Sequence, residues 1–531
     1  MRAIRLYFSL LAFVITVGAG PIGAAPSAVA PRPNVLLILV DDLGFSDLGA
    51  YGGEIRTPNL DRLAADGLRF TQFYNCAVCV TSRAALTTGL YPRQGKGGLL
   101  RDNMVTIGEV MRQAGYATSL IGKWHLGGAA PLRPIDRGFD EFYGLLDGCS
   151  NHFNPAQPDP TFYNGGATRL FAHHDKRVTE FPRDFYTTDA FSARAAEFIR
   201  RTTRAGRPFF LNLCYTAPHF PLQAPAEDVA RYRGKYRDGY DVLRYRRFQR
   251  QIELGIIDPA VTKLSPVDRK TGTFRYEYEV TPWERLDAAT RKREEERMEV
   301  YAAMVDRLDQ GIGQVLAALE GSGSAHNTVV FFLSDNGGCA TWPANETEFI
   351  AHNRGLPVGD ARGYEFVGPG WGWAQNAPFR RHKTWTYEGG ICTPMIVRWP
   401  GVAPAGAITS APGHLVDFMP TLLEIAGGGY PSNVNGRSTL PMDGRSLMPA
   451  VRGRPAGPRQ LPLFWELYGN RAVRDGEWKL VWGASDKRWE LYHLAKDRSE
   501  TVNLAGEHPA RVVAMAADWA QWAEQTGALA R

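Results

Sequence analysis

Two short apolar runs, each ending on acid or amide groups, most constrain the fold of this chain. The first is NVLLILVDD at residues 34–42 and the second is NTVVFFLSDN at residues 327–336. An unbroken apolar run of this length that stops in acid predicts a parallel strand buried on both faces. Helical and strand patterns alternate around them. TIGEVMRQAGYATSLIGKWHLG (106–127) predicts a helix closed by Gly115, then a strand, then a polar loop. RPFFLNLCYTAPHFP (207–221) predicts a strand and a loop, and YAAMVDRLDQGIGQVLAALEGSG (301–323) an apolar-faced helix with a glycine stop. TPMIVRWPG (393–401) predicts a further strand. The expectation is an α/β fold: a large mixed, mostly parallel sheet sandwiched by helices.

A chain of 531 residues exceeds one ordinary domain, so one large domain with a smaller companion is expected. Residues 31–450 form the large unit, interrupted at about 228–296 by an insertion rich in Arg, Tyr and Glu. The stretch from about Gly427 to Pro462 is dense in Gly, Pro, Ser and Arg and marks the boundary. Beyond it, residues 451–531 predict a small α+β subdomain. RAVRDGEWKLVW and RWELYHLA read as antiparallel strands, and PARVVAMAADWAQWAEQTGAL as a closing helix. No internal repeat is present.

The first 30 residues have another purpose. Arg2 and Arg5 precede an apolar run from Leu6 to Val17, and small residues follow in GAAPSAVA. This is the pattern of a secretory signal peptide, with cleavage expected between Ala24 and Ala30. The apolar run is short for a bilayer span. The protein is therefore expected to be exported, periplasmic or secreted, with no stable membrane anchor. Loss of Arg2 and Arg5 leaves 59 basic against 55 acidic residues, a mildly basic balance compatible with an anionic substrate and with plain solubility. Cys76, Cys79, Cys149, Cys214, Cys339 and Cys392 are too sparse for a disulfide scaffold.

In an open parallel sheet, ligands bind beyond the carboxyl ends of the strands. The expected strand ends deliver Asp41 and Asp42, then Lys123 and His125, then His219, then Asp335 and Asn336. Taken singly, each is an ordinary turn or loop residue. Together they place acids, an amide, a lysine and imidazoles along one edge. Asp41, Asp42, Asp335 and Asn336 offer only oxygen, which suits a hard cation, Ca²⁺ or Mg²⁺, over zinc.

The stretch NCAVCVTSRAALTTG (75–89) adds two cysteines ahead of a helix. A thiolate is a soft ligand and a poor companion for a hard ion, so Cys79 would fit better with oxygen in place of sulfur. CVTSRAALTTG resembles the sulfatase signature, in which Cys-x-Pro-Ser-Arg leads a short stretch ending in Thr-Gly and the cysteine is oxidised to formylglycine. Ser82 and Arg83 follow Cys79 at the family spacing; Cys76 has no such partners. Thr81 stands where the family usually has proline. GKWHLG, APHFP, SDNGG, KTWTYEGGICTP and the C-terminal WELYHLAKDRSETVNLA resemble the family's later motifs in the family's order.

The resemblance implies an arylsulfatase-type, formylglycine-dependent hydrolase of the alkaline phosphatase superfamily. Asp41, Asp42, Asp335, Asn336 and modified Cys79 would hold one divalent cation, Ca²⁺ in most members, with Mg²⁺ the alternative. A hydroxyl of the hydrated aldehyde would attack sulfur, release the alcohol or phenol, and leave a covalent sulfo-enzyme. Lys123, His219 and Lys383 would surround the sulfate oxygens, with His219 protonating the departing oxygen. His125 would take the proton that expels inorganic sulfate, and Arg83 would bond the gem-diol. A formylglycine-generating enzyme is the implied maturation partner, and a sulfated small molecule or carbohydrate the implied substrate.

Two other readings compete. One is a phosphodiesterase or phosphonate hydrolase of the same superfamily, and the other a non-catalytic carbohydrate-binding relative. RYRGKYRDGYDVLRYRRFQR (231–250) interleaves arginines with aromatics, which suits either a solvated face or a grip on an anionic polymer. No nucleic-acid motif accompanies it. Trp371, Trp373 and Trp385 suit either core packing or stacking on a ring. The sequon NET begins at Asn345.

Overall fold

The computed structural model describes residues 32–92, 99–268, 270–272 and 277–528; the expected leader lies outside the described residues. Seven strands form the body of the main sheet: β1 (Asn34–Val40), β2 (Leu68–Tyr74), β3 (Ala117–Gly122), β4 (Glu141–Leu145), β5 (Phe209–Cys214), β6 (Thr328–Ser334) and β7 (Cys392–Arg398). With four short edge strands they make an eleven-stranded sheet, whose central order is β2-β7-β6-β1-β5-β3-β4.

Every residue of β1 is buried, and its alternate side chains enter different cores. Leu36, Ile38 and Val40 join one apolar cluster, while Val35, Leu37 and Leu39 join another. The same split divides Val330 and Phe332 from Val329, Phe331 and Leu333 in β6. Unbroken apolar sequence in these strands is the consequence of helices covering both faces. One layer contains α1 (Pro58–Ala65), α4 (Thr187–Arg204) and α6 (Ala288–Gly321), and the other contains α2 (Cys79–Thr88), α3 (Ile107–Gln113) and α9 (Phe418–Ala426). α5 (Gly239–Glu253), α7 (Pro369–Gln375) and α8 (Glu388–Ile391) add their apolar residues to the first of these clusters. Thr106 and Glu109 close a capping box at the start of α3, and Gly115 follows its end with φ +87°.

β6, β1, β5, β3 and β4 run parallel, whereas β7 is antiparallel to both β6 and β2. The register levels the strand ends: Val40 pairs with Ser334, Leu39 with Cys214, and Gly122 with Cys214. All four loops carrying the expected site residues therefore leave from one pole. Because β7 is reversed, its preceding segment, with Lys383, arrives at that same pole.

Two segments depart from the sequence reading in extent. α6 starts at Ala288, well before the apolar periodicity at Tyr301. Asp287 caps it, and Lys292 and Arg293 pair with Glu295 and Glu296 along its polar first turns. Helix stabilised by a cap and ion pairs leaves no apolar stripe to read. The C-terminal unit is a four-stranded antiparallel sheet covered by α10 (Pro509–Thr526), with Leu463–Leu467 as a first strand that the sequence reading did not include. Among the described residues, no helix is long and apolar enough to cross a membrane.

Candidate active site

Cys79 is the first residue of α2, which leaves the carboxyl end of β2 at the sheet pole. Val78 precedes it in extended conformation and supplies no side-chain cap. The first-turn amides of a helix lack intrahelical partners and carry its positive end, which favours an anion at this position. Thr81 fits the first turn by donating its hydroxyl to the carbonyls of Cys76 and Val78, at 2.9 and 3.0 Å. Ser82 Oγ accepts the Cys76 N–H at 3.0 Å and secures the turn before the helix. Gly89 closes α2 with φ +69°. Burial pushes the Cys79 thiol up, against the pull of Lys123 and Lys383, so the unmodified residue is a neutral thiol.

Three carboxylates and three cations converge around it, all buried. Lys123 Nζ lies 2.6 Å from Asp41 Oδ2, and Lys383 Nζ lies 2.6 Å from Asp42 Oδ1. Arg83 bonds Asp335 Oδ2 through Nε and Nη2 at 3.1 and 2.8 Å, and the Lys123 carbonyl through Nη1 at 2.8 Å. Arg83, expected to bond the modified side chain, is thus seen orienting Asp335 and the Lys123 loop. Asn336 Nδ2 donates to Asp42 Oδ1 at 2.7 Å.

The electrostatics follow from this crowding. Burial alone would raise Asp42, but the Lys383 ammonium and the Asn336 amide against it hold the carboxyl below its usual range. Burial, helped by Asp41, pushes Asp335 up to about 7 despite Arg83 and Lys123. Burial would lower both lysines, yet Asp41 holds Lys123, and Asp42 holds Lys383, above the ordinary lysine range. Burial and the neighbouring cations hold His125 and His219 well below theirs, so both rings are neutral. His219 Nδ1 donates to the Phe220 carbonyl at 2.7 Å, which leaves Nε2 bare and 3.5 Å from Asp42 Oδ2. His125 takes a left-handed backbone, φ +62°, and its Nδ1 has no hydrogen bond.

Asp41 Oδ1, Asp42 Oδ2 and Asn336 Oδ1 are buried and make no hydrogen bond. Leaving one such acceptor unsatisfied costs about 1–3 kcal/mol, and more when it is charged. A hard divalent cation would satisfy all three at once. Asp41, Asp42 and His219 also offer ligand atoms within 4.8 Å of one another. The donor set therefore fits a metal of the oxygen-preferring kind. Every residue expected at the site is brought to the pole.

One contributor escaped the sequence reading. His152 Nε2 donates to the His219 carbonyl at 3.0 Å, while Nδ1 meets Thr187 Oγ1 at 2.9 Å. Nothing local in YGLLDGCSNHFN signals that role; only the fold brings the two histidines together. Elsewhere, Trp371, Trp373 and Trp385 are packed in the core. All six cysteines are free, and Cys76 sits 3.9 Å from His414 Nε2. Asn345 caps a short helix by accepting the Glu348 N–H.

Comparison with known proteins gives a consistent result. Residues 33–428 match the family model for sulfatases, and residues 379–519 match a model described as N-sulphoglucosamine sulphohydrolase, C-terminal. An uncharacterized sulfatase of Schizosaccharomyces pombe is 33% identical, covering 94% of this chain and 95% of its own. An arylsulfatase of Klebsiella aerogenes is 34% identical, covering 80% and 93%, and the N-acetylgalactosamine-6-sulfatase of Canis lupus familiaris is 29% identical, covering 93% and 79%. The solved structure of Ps i-CgsB with k-i-k-neocarrahexaose is 27% identical, covers 92% of each chain and superposes with a TM-score of 0.67.

Proposed function

Because the chain belongs to the sulfatase family and is a sulfuric ester hydrolase, we propose that it works through a formylglycine made from Cys79 and acts on sulfated carbohydrate after export. The observation that carries this reading is the set of three orphaned buried oxygens beside the first residue of α2. Asp41, Asp42, Asp335, Asn336 and the oxygen-bearing side chain at position 79 would hold one divalent cation: the oxygen donors suit Ca²⁺ or Mg²⁺, and the family resemblance favours Ca²⁺. When bound, that cation supplies positive charge against the sulfate oxygens.

The side chains divide the remaining work. Three carboxylates already balance Lys123, Lys383 and Arg83. Occupation of the Asp41 and Asp42 oxygens would leave both ammonium groups available to a sulfate ester, and preplaced cations of this kind are usually the largest catalytic contribution. The α2 amides would add to that field. One hydroxyl of the hydrated aldehyde would attack sulfur and displace the alcohol, leaving a covalent sulfo-enzyme. His219, neutral with Nε2 bare, would first take a proton from solvent onto Nε2 as the anionic ester binds and then pass it to the departing oxygen, its ring oriented by the Nδ1 bond to Phe220 and by His152 on its carbonyl. His125, neutral and with Nδ1 unbonded, would accept the proton of the second hydroxyl as sulfate leaves. Arg83 would keep Asp335 aimed.

The carbohydrate assignment rests on relatives named N-acetylgalactosamine-6-sulfatase and on a structural neighbour in complex with k-i-k-neocarrahexaose. Export, to the periplasm or the exterior, rests on the N-terminal sequence pattern, and maturation would require a formylglycine-generating enzyme. Mass spectrometry of the Cys79 peptide from the native host tests the chemistry: an aldehyde is expected. Fully active material still carrying sulfur at position 79 would overturn it. In parallel, a nitrophenyl sulfate is expected to be hydrolysed in preference to the matching phosphate diester.

A further inference from the structure

Among the side chains that the insertion sends inward, one reaches the loop after β1. Two of the four arginines of α5 stay at the surface, where Arg246 pairs with Asp238 and Arg250 with Glu253; Arg244 is buried and bonds Ser265 Oγ at 2.7 Å. Arg247 is the more deeply buried of the two inner arginines, at 1% exposure. Its Nε and Nη2 fork onto Glu54 at 2.8 and 3.0 Å, and its Nη1 reaches Asp47 Oδ1 at 2.6 Å and Ser46 Oγ at 3.3 Å. The other Asp47 oxygen accepts the Gly44 N–H and the Tyr301 hydroxyl, both at 2.7 Å. That hydroxyl also lies 3.3 Å from the carbonyl oxygen of Asp42.

This chain of contacts ends on a strained residue. Asp42 adopts φ +66°, a left-handed conformation that an L side chain takes only when its surroundings hold it. Asp41 and Asp42 are also the residues whose unbonded oxygens would meet the cation. The other side of their loop is closed by α7, where Ser46 Oγ donates to the Gln375 carbonyl at 2.8 Å and Gly44 lies against that same carbonyl. The loop is thus clasped between α7 and the insertion.

We propose that Arg247 is a positioning residue for the divalent cation: through Asp47 and Tyr301 it holds the Asp41–Asp42 loop in its liganding conformation. The insertion thereby sets metal affinity. The inference rests on the metal reading above. A guanidinium fork is required because two carboxylates must be met at once, and a lysine can satisfy only one. Tyr301 transmits the constraint without charge of its own, so its loss isolates the linkage from the burial of Arg247.

Calorimetric titration of Ca²⁺ into the chelator-treated full chain tests it, comparing wild type, Tyr301→Phe, Arg247→Lys, the double variant and the surface control Arg250→Lys. Tyr301→Phe and Arg247→Lys are each expected to weaken Ca²⁺ binding roughly ten-fold or more, as loss of an outer partner does at metal sites. The double variant should lose little beyond the worse single, because both act on one linkage, while Arg250→Lys binds as wild type. Metal-free melting temperatures of Tyr301→Phe and wild type should agree, which a merely structural role would not produce alongside weakened binding. Should Arg247→Lys fail to fold, Tyr301→Phe carries the test alone. Wild-type affinity in Tyr301→Phe overturns the inference and leaves the metal reading intact; absence of Ca²⁺ binding by the wild type overturns both.

Discussion

Two buried charge clusters in this chain use the same residue types and differ in how they are closed. At the sheet pole, Asp41, Asp42 and Asp335 face Lys123, Lys383 and Arg83. At the junction with the C-terminal sheet, Glu388 and Glu500 face Lys479 and Arg498. Lys479 Nζ lies 2.8 Å from Glu388 Oε1 and 2.7 Å from Glu500 Oε1. Glu388 Oε2 meets Arg498 and the Tyr74 hydroxyl, and the Glu388 N–H donates to Glu500 Oε2 at 2.7 Å. Each carboxylate oxygen at the junction has a donor or cation close against it, Glu500 Oε1 by its 2.7 Å ion pair with Lys479 and without a hydrogen bond. At the pole, Asp41 Oδ1 sees Arg83 Nη2 only at 4.0 Å and Asp42 Oδ2 sees His219 Nε2 at 3.5 Å, with no hydrogen bond to either oxygen. A closed cluster holds two parts of the chain together, while an open one is complete only when something from outside joins it.

The comparison breaks most readily at Cys79. Cys79→Ala is expected to lower turnover of a nitrophenyl sulfate by about 10⁴ to 10⁶-fold while leaving the melting temperature unchanged, since removal of a nucleophile abolishes covalent catalysis but not packing. Retention of substantial turnover would move the reaction away from the α2 terminus.

Glu388→Gln should do the reverse. It leaves Lys479 and Arg498 buried with too little negative charge, which costs about 3–5 kcal/mol of stability. Denaturant unfolding measures that loss, and turnover per folded molecule should stay within a few-fold of wild type. A fall in turnover without a fall in stability would make the junction part of the site.

The smallest effect sharpens the comparison through pH. Burial holds His152 down at about 4 and His414 down at about 3. An unfolded histidine titrates near 6.5, so between that pH and the folded value only the unfolded chain takes the proton. Their contribution to stability is whole above about pH 6.5 and is lost as pH falls, on the order of 3 kcal/mol for each by about pH 4. Denaturant midpoints at a series of acid pH values measure it, and His414→Asn should flatten the slope. A slope independent of both histidines would show that acid acts first on the charge clusters.

The architecture was legible where the physical signal is local. β1 and β6 are unbroken apolar runs because both faces are covered, and the acids at their ends stand out against that background. Gly115 and Gly89 mark helix ends by their positive φ, a preference that belongs to the residue itself. The start of α6 was not legible, because a cap and ion pairs leave no apolar period. The arginines and aromatics of residues 231–250 read as a solvated face or a grip on a polymer, yet Tyr232, Tyr236 and Tyr240 are buried, and Arg244 and Arg247 go in with them. An alternation of basic and aromatic residues does not say which type points inward.

By itself the sequence determined which groups could meet: acids, amide, lysine and imidazoles at the ends of apolar strands, and a cysteine ahead of a helix, each specified by its immediate neighbours. Tertiary structure alone decided that β6, β1, β5 and β3 lie side by side in level register, that β7 runs backwards to deliver Lys383, and that His152 and Arg247 support residues distant in the chain. The physical reason is that patterning and propensity act over a few residues, whereas an orphaned oxygen or a closed ion cluster is defined only by what long-range packing brings against it.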